Sequence, residues 1–219
     1  MGDTTIAIPV TGLRERKKRE TRDTIARVAL ELFDRQGFQH TTIPEIAAAA
    51  MVSPRTVSSY FPVKEDLAFA DSAEAFARLG ARLDARAPGE TTADALRDWI
   101  TTQLPEWDAR EDELRVQRRV VAANEALMSH EQYLQAEGQR LIACSIARDL
   151  GGSPDDLESR MAAAATMATF DVLGAHRDAE HAAGRDIGND ERHRAEALEL
   201  LDRALTFVGA GIRALQAAS

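Results

Sequence analysis

Thr41 to Leu67 reads TTIPEIAAAAMVSPRTVSSYFPVKEDL. Thr42 stands three residues before Glu45, the spacing at which a capping hydroxyl and a carboxylate satisfy each other's free backbone donors. This predicts a short Ala-rich helix from Ile43 to Ala50, with Ile46 and Ala47 facing inward and Ala47 small enough for another helix to cross closely. Ser53 then caps a second helix and Pro54 takes its first position, where a missing N–H loses no hydrogen bond and φ is preset. Only Met51 and Val52 separate the two, and Pro62 closes the second after Phe61. Two short helices joined so tightly have helix-turn-helix geometry. In that motif the first helix braces the second, and the second lies in the major groove of duplex DNA, where each base pair shows a distinct pattern of donors and acceptors.

Upstream, Ile25, Val28, Ala29, Leu32 and Phe33 fall at i, i+3, i+4, i+7 and i+8, one face of a helix that begins at about Thr21 and ends at Gly37. Residues 1–13 show no periodicity and are expected to be a disordered leader. Between them, Arg14 to Glu20 (RERKKRE) reads either as a solvated helix start or as a basic arm reaching toward phosphates or the minor groove, and the two readings are compatible. Downstream, Lys64 to Arg86 reads as one long helix with Leu67, Phe69, Ala70, Ala73, Phe76 and Ala77 available for packing, ended by Pro88 and Gly89. Further helices are expected at about 91–104, 111–127, 130–150, 155–183 and 191–217, punctuated by Pro105, the Gly151–Pro154 cluster and the stretch 184–189. Strand-like alternation and solenoid repeats are both absent from the sequence. The fold class is therefore all-α, with a three-helix helix-turn-helix domain over 14–67 and a helical domain over 68–219.

Composition agrees with a soluble globular chain: 219 residues, 44% hydrophobic and 29% charged, enough for two cores. Cys144 is the single cysteine, so no intrachain disulfide can form, and a small core residue is its simplest reading. No run of about 18 apolar residues occurs and Met1–Leu13 lacks a signal peptide's basic start and apolar stretch, so a cytoplasmic location is expected. A net charge of -9 argues at first against nucleic acid, but the distribution reverses this. Arg14 to Lys64 holds ten basic residues against six acidic, whereas the remainder after Lys64 holds 17 against 29. Any DNA contact belongs to the first third of the chain.

From Thr21 to Leu67 the sequence resembles the TetR family of repressors. The residues that carry the likeness are Gly37-Phe38, Thr41-Thr42, Ile46-Ala47, Val52-Ser53, Thr56, Tyr60-Phe61 and Lys64-Glu65-Asp66-Leu67. The resemblance implies that Arg55, Thr56 and Ser59 contact base edges or nearby phosphates, with Ser53 and Ser58 beside them, and that Thr42, Tyr60 and Lys64 hold the DNA backbone. Two positions depart from the family pattern. Met51 stands where glycine is usual, which costs about 1 kcal/mol of backbone strain or else alters the turn. Ser58 stands where many relatives carry an aromatic residue.

The same resemblance implies a homodimer formed by the last two long helices. Leu157, Met161, Ala164, Ala165, Ala168 and Val172 on one, and Ala197, Leu201, Ala204, Leu205, Val208, Ile212 and Leu215 on the other, lie at helical spacing; such stripes also suit an intrachain core. It also implies a small-molecule effector, apolar or acyl-CoA-like, in a pocket walled by Phe76, Trp99, Trp107, Met128, Tyr133, Phe170 and His176. The effector is expected to release operator DNA by swinging the long helix that starts at Lys64. No cofactor is expected.

Two other readings compete. His176, Glu180, His181 and His193 suggest a metal, but His176 and His181 are five apart and do not share a helix face. With no Gly-rich phosphate loop, no nucleophile elbow and no catalytic setting for Cys144, the chain is not expected to be an enzyme. Control of the regulator by a protein partner in place of a small molecule remains open on the sequence.

Overall fold

A computed structural model describes residues 10–182 and 191–218. Of the leader expected over 1–13, residues 1–9 lie outside the described residues and 10–13 are helical, not disordered; the connection 183–190 and the side chains of Glu180, His181, His193 and Ala197 also lie outside the described residues. The described elements are all helical: α1 (Val10–Gln36), α2 (Ile43–Ala49), α3 (Pro54–Tyr60), a 3₁₀ helix (Lys64–Phe69), α4 (Ser72–Asp84), α5 (Thr92–Ala109), α6 (Glu111–Ala122), α7 (Glu125–Leu150), α8 (Leu157–Ala182) and α9 (Glu191–Ala218). None of them is long and apolar enough to cross a membrane.

The chain divides into two compact units. One comprises residues 1–71 and 116–130, the other 72–115 and 131–219. The division falls after Asp71, and residues 116–130 group with the N-terminal unit because Val120, Val121 and Leu127 complete its core. That core is built by Ile25, Ala29 and Phe33 of α1, Ile46 and Ala47 of α2, Val57 and Phe61 of α3, and Leu67. Each fully buried large side chain contributes about 1.5–3 kcal/mol of transfer free energy. Phe33 and Phe38 meet edge to face, with ring centroids 4.9 Å apart.

α1 starts at Val10, earlier than the periodicity indicated, because its first turns are polar and exposed and carry no apolar signal. The single helix expected over Lys64–Arg86 is instead two elements, divided at Ala70–Asp71. The reason is visible in the burial pattern. Leu67 and Ala68 enter the N-terminal core, whereas Leu79 and Leu83 enter the C-terminal core. On one continuous helix, Leu67 and Leu83 would point to nearly opposite faces.

In the C-terminal unit, Leu79 and Leu83 of α4, Leu96 and Ile100 of α5, Ile142 and Ile146 of α7, Ala163 of α8, and Leu205 and Ile212 of α9 form one core. Beside it lies a buried polar knot. Arg86 pairs with Asp149, both side chains only 9% exposed. Asp149 also accepts from the Thr92 backbone N–H at 2.9 Å, and the hydroxyls of Thr92 and Ser145 bond each other at 2.9 Å. Pro105 does not end α5 as expected; the helix continues to Ala109. Pro105 and Thr101, whose carbonyl loses its partner, are both exposed, so the missing bond faces water. Conversely, the helix expected over 111–127 stops at Ala122, and α7 starts early because the Asn124 carboxamide oxygen accepts from the N–H groups of Ala126 and Leu127.

Candidate nucleic-acid interface

α2 begins with the reciprocal cap read from the sequence. The Glu45 carboxylate accepts from the Thr42 backbone N–H at 2.7 Å and from its hydroxyl at 2.8 Å, while Glu45 N–H donates back to the Thr42 hydroxyl. These bonds, the Thr42 backbone donor first, hold the Glu45 carboxyl below the usual carboxylate range.

The turn into α3 is a Schellman closure. Val52 N–H reaches the Ala47 carbonyl at 2.9 Å, and Met51 N–H reaches the Ala48 carbonyl at 3.2 Å. This geometry needs a left-handed residue at position 51, and Met51 supplies it with φ of 55°, the single non-glycine residue with positive φ among those described. The glycine-type turn is thus preserved without glycine, and Met51 bears the strain expected of it.

Ser53 caps α3: its hydroxyl accepts from Thr56 N–H at 3.0 Å and shares a 2.7 Å bond with the Thr56 hydroxyl. Val57 is the one fully buried residue of α3; Pro54, Arg55, Ser58 and Ser59 are exposed and Thr56 is half-buried. Such a helix is held by one apolar side chain and its caps, with the rest turned to solvent. Ser53, Arg55, Ser58 and Ser59 therefore share one accessible element, with Thr42 exposed at the start of the bracing helix. Tyr60 is half-buried against the N-terminal core, so its ring is anchored. The Lys64 ammonium donates to the Phe38 carbonyl at 2.5 Å and lies 4.2 Å over the Phe38 ring. Burial is the main reason its pKa is lowered, and the bond to Phe38 uses one of its three donors.

The residues expected around a ligand are only partly assembled. Trp99, Trp107 and Phe170 pack against the C-terminal core, and the two indoles meet edge to face at 5.6 Å. Phe76 lies in the same unit, where its ring would stand 3.2 Å from a Cβ added to Gly138. Met128 belongs to the N-terminal unit, Tyr133 is 63% exposed, and His176 is exposed on α8. Sequence reading missed Gln103, four residues from both tryptophans. Its Oε1 and the Trp99 Nε1 are buried without a hydrogen-bond partner. The stripe Trp99–Gln103–Trp107 at i, i+4, i+8 was the available signal. Among the described residues no cluster of His, Cys, Asp or Glu is arranged to hold a metal.

A capped, outward-facing helix behind a tight turn, on the basic segment of an all-α chain, is helix-turn-helix geometry. A family model described as bacterial regulatory proteins, tetR family, matches residues 25–70. TcmR of Streptomyces glaucescens, an HTH-type transcriptional regulator, is 44% identical over 85 residues, which are 39% of this chain and 38% of that protein. MftR of Mycobacterium tuberculosis, a putative mycofactocin biosynthesis transcriptional regulator, is 26% identical over 90% of this chain and 93% of its own length. Among solved structures, Thermus thermophilus FadR, a TetR-family repressor in complex with lauroyl-CoA, aligns with TM-score 0.53 and 28% identity over 87% of this chain and 94% of that one. A SmeT–triclosan complex aligns with TM-score 0.58 and 19% identity over 85% and 90%, which speaks to the fold. The family likeness lies in residues 25–70, the segment that carries the helix-turn-helix, and the chain spans 38% of the length of TcmR.

Proposed function

We propose that the protein is a homodimeric, cytoplasmic, sequence-specific repressor whose α3 reads operator DNA and whose C-terminal unit takes an apolar or acyl-CoA-like effector that lowers operator affinity. The observation that carries the DNA reading is the outward presentation of α3, with Val57 alone fully buried and Arg55 exposed near its start. In that role Arg55, Thr56 and Ser59 contact base edges or adjacent phosphates, with Ser53 and Ser58 alongside. Thr42, Tyr60 and Lys64 hold the backbone and carry no sequence information.

Dimerisation is favoured by large apolar side chains left in solvent on α8 and α9: Leu157, Met161, Val172 and Phe207 are each more than half exposed. An effector is favoured by the Trp99–Trp107 pair with its unpaired indole N–H and by the unpaired Gln103 carbonyl. Unpaired buried polar atoms cost about 1–3 kcal/mol each, which a ligand with an apolar body and a polar head would recover. By linkage, an effector that loosens DNA binding is itself bound more weakly by the DNA-bound protein.

Selection of duplexes from a random pool tests the function. A palindromic site with half-sites about 10 base pairs apart is the expected product. Recovery of no preferred sequence would remove the proposal. A thermal-shift screen with acyl-CoAs, fatty acids and aromatic drugs tests the effector, since a ligand of the folded state raises its melting temperature. A hit that leaves operator affinity unchanged contradicts the regulatory step.

A further inference from the structure

The first turns of α1 carry charge that the interface above leaves unused. From Gly12 to Glu20 every residue is exposed, and the first buried position of the helix is Ile25. Residues 10–20 prolong the helix by about 16 Å at 1.5 Å per residue. A polar extension that buries nothing gains no packing energy, so its use must lie in what it meets.

Its charges are sorted by face. Arg16 pairs with Glu20 at 3.4 Å. Arg14, Lys17 and Lys18 stand at i, i+3 and i+4 on another side, and among the described residues no carboxylate pairs with them. The next position of that stripe is Thr21. Lys17, Glu20, Thr21 and Thr24 form one wall of a cleft of about 300 Å³ whose other wall is Ala50 and Val52, the residues flanking Met51 in the turn before α3. Through Lys17 and Thr21 the basic stripe therefore prolongs the side of α1 that abuts the turn into the recognition helix.

We propose that Arg14, Lys17 and Lys18 form a second, sequence-independent DNA contact that grips phosphates of the duplex flanking the site read by α3. The inference rests on the reading that α3 docks in duplex DNA. Laid along the duplex, an extension of about 16 Å covers the axial rise of roughly five phosphates of one strand at about 3.4 Å each. Three cations retained on one stripe of a chain with net charge -9 mark a polyanion as the occupant. A lipid surface is a poor fit, because Val10 and Leu13 are the sole large apolar residues of this segment and an interfacial helix needs a broad apolar face.

The test uses the full chain and a duplex it selects from a random pool, made in two lengths: the bare site, and the site with about six arbitrary base pairs on either side. Gln preserves helix propensity in the variant R14Q/K17Q/K18Q. Wild type is expected to bind the long duplex more tightly than the short one, and the variant to bind both alike. On the long duplex, the slope of log affinity against log salt falls by about 2.7 per chain. Between about 50 and 200 mM salt that is roughly 40-fold. Preference for the selected over a scrambled sequence is unchanged. The single variant K18Q, which leaves the buried face of α1 intact, lowers the slope by about 0.9.

Equal slopes for wild type and the variants, or equal wild-type affinity for both lengths, overturns the arm while the α3 reading stands. Absence of wild-type preference for the selected sequence is failure of the reading beneath, and removes both. Tighter wild-type binding to phosphatidylglycerol vesicles than to the long duplex at matched salt also overturns the proposal.

Discussion

Replacing Met51 by glycine should stabilise the protein, against the usual direction for a glycine substitution. Met51 holds φ of 55° at the closing position of α2, where the Val52 and Met51 N–H groups cap the helix carbonyls. A residue with a Cβ pays about 1–2 kcal/mol in this conformation. Glycine removes that cost but gives the unfolded chain more freedom, worth about 0.5–1 kcal/mol in the opposite direction. The Met51 side chain is 92% exposed, so almost no burial is lost. The balance is a gain of about 0.7 kcal/mol, or roughly 2 °C in Tm for a chain of this size. Urea unfolding of wild type, M51G and M51A measures it. M51G should raise the midpoint at unchanged m, and M51A, which keeps the Cβ, should not. A destabilised M51G, or an M51A that matches it, would refute the claim that the turn is strained at this residue.

Asp149→Ala leaves Arg86 buried and unpaired and strips the Thr92 N–H of its acceptor. A loss of about 3–5 kcal/mol is expected, and an unchanged midpoint in urea would contradict the role given to the knot. Glu131→Gln should act through pH. Burial chiefly, and the Asp171 charge beside it, push the Glu131 carboxyl up, so the folded state holds this proton more tightly than the unfolded state does. Ionisation therefore costs stability, from nothing below the ordinary glutamate pKa to its full value above the raised one. E131Q should raise Tm at neutral pH and lose that advantage on acidification, and an equal gain at both pH values would refute the assignment. The pair M161E/F207E changes side chains 57% and 70% exposed, so each folded chain should persist while light scattering shows monomers in place of dimers. A stable dimer would move the interface elsewhere.

The helix-turn-helix was legible because its signals are local. Thr42 with Glu45, and Ser53 with Pro54, state their caps in four or fewer residues, and Gly37 and Pro62 close α1 and α3. Met51 was legible as a departure, but whether it adopts the glycine conformation or bends the turn depends on backbone bonds between Ala47 and Val52 that no spacing reveals. The Asn124 cap, by contrast, sits inside a long run of helix formers where a break gives no periodic signal. The split at Ala70–Asp71 was hidden for a different reason. Leu67 and Leu83 serve separate cores, and hydrophobicity alone does not say which core a leucine joins. The candidate ligand residues were the least legible, because an aromatic residue reads alike whether it packs against a core, as Trp99 does, or stands in solvent, as Tyr133 does.

The claim that α3 enters the major groove is tested most directly by replacing guanines of the selected site with 7-deazaguanine, which removes the N7 acceptor and leaves Watson–Crick pairing intact. At one guanine in each half-site, the substitution should weaken wild-type binding by about 1–3 kcal/mol and leave the already weaker R55A variant unaffected. Affinity insensitive to every such replacement, with R55A binding as tightly and as selectively as wild type, would contradict it.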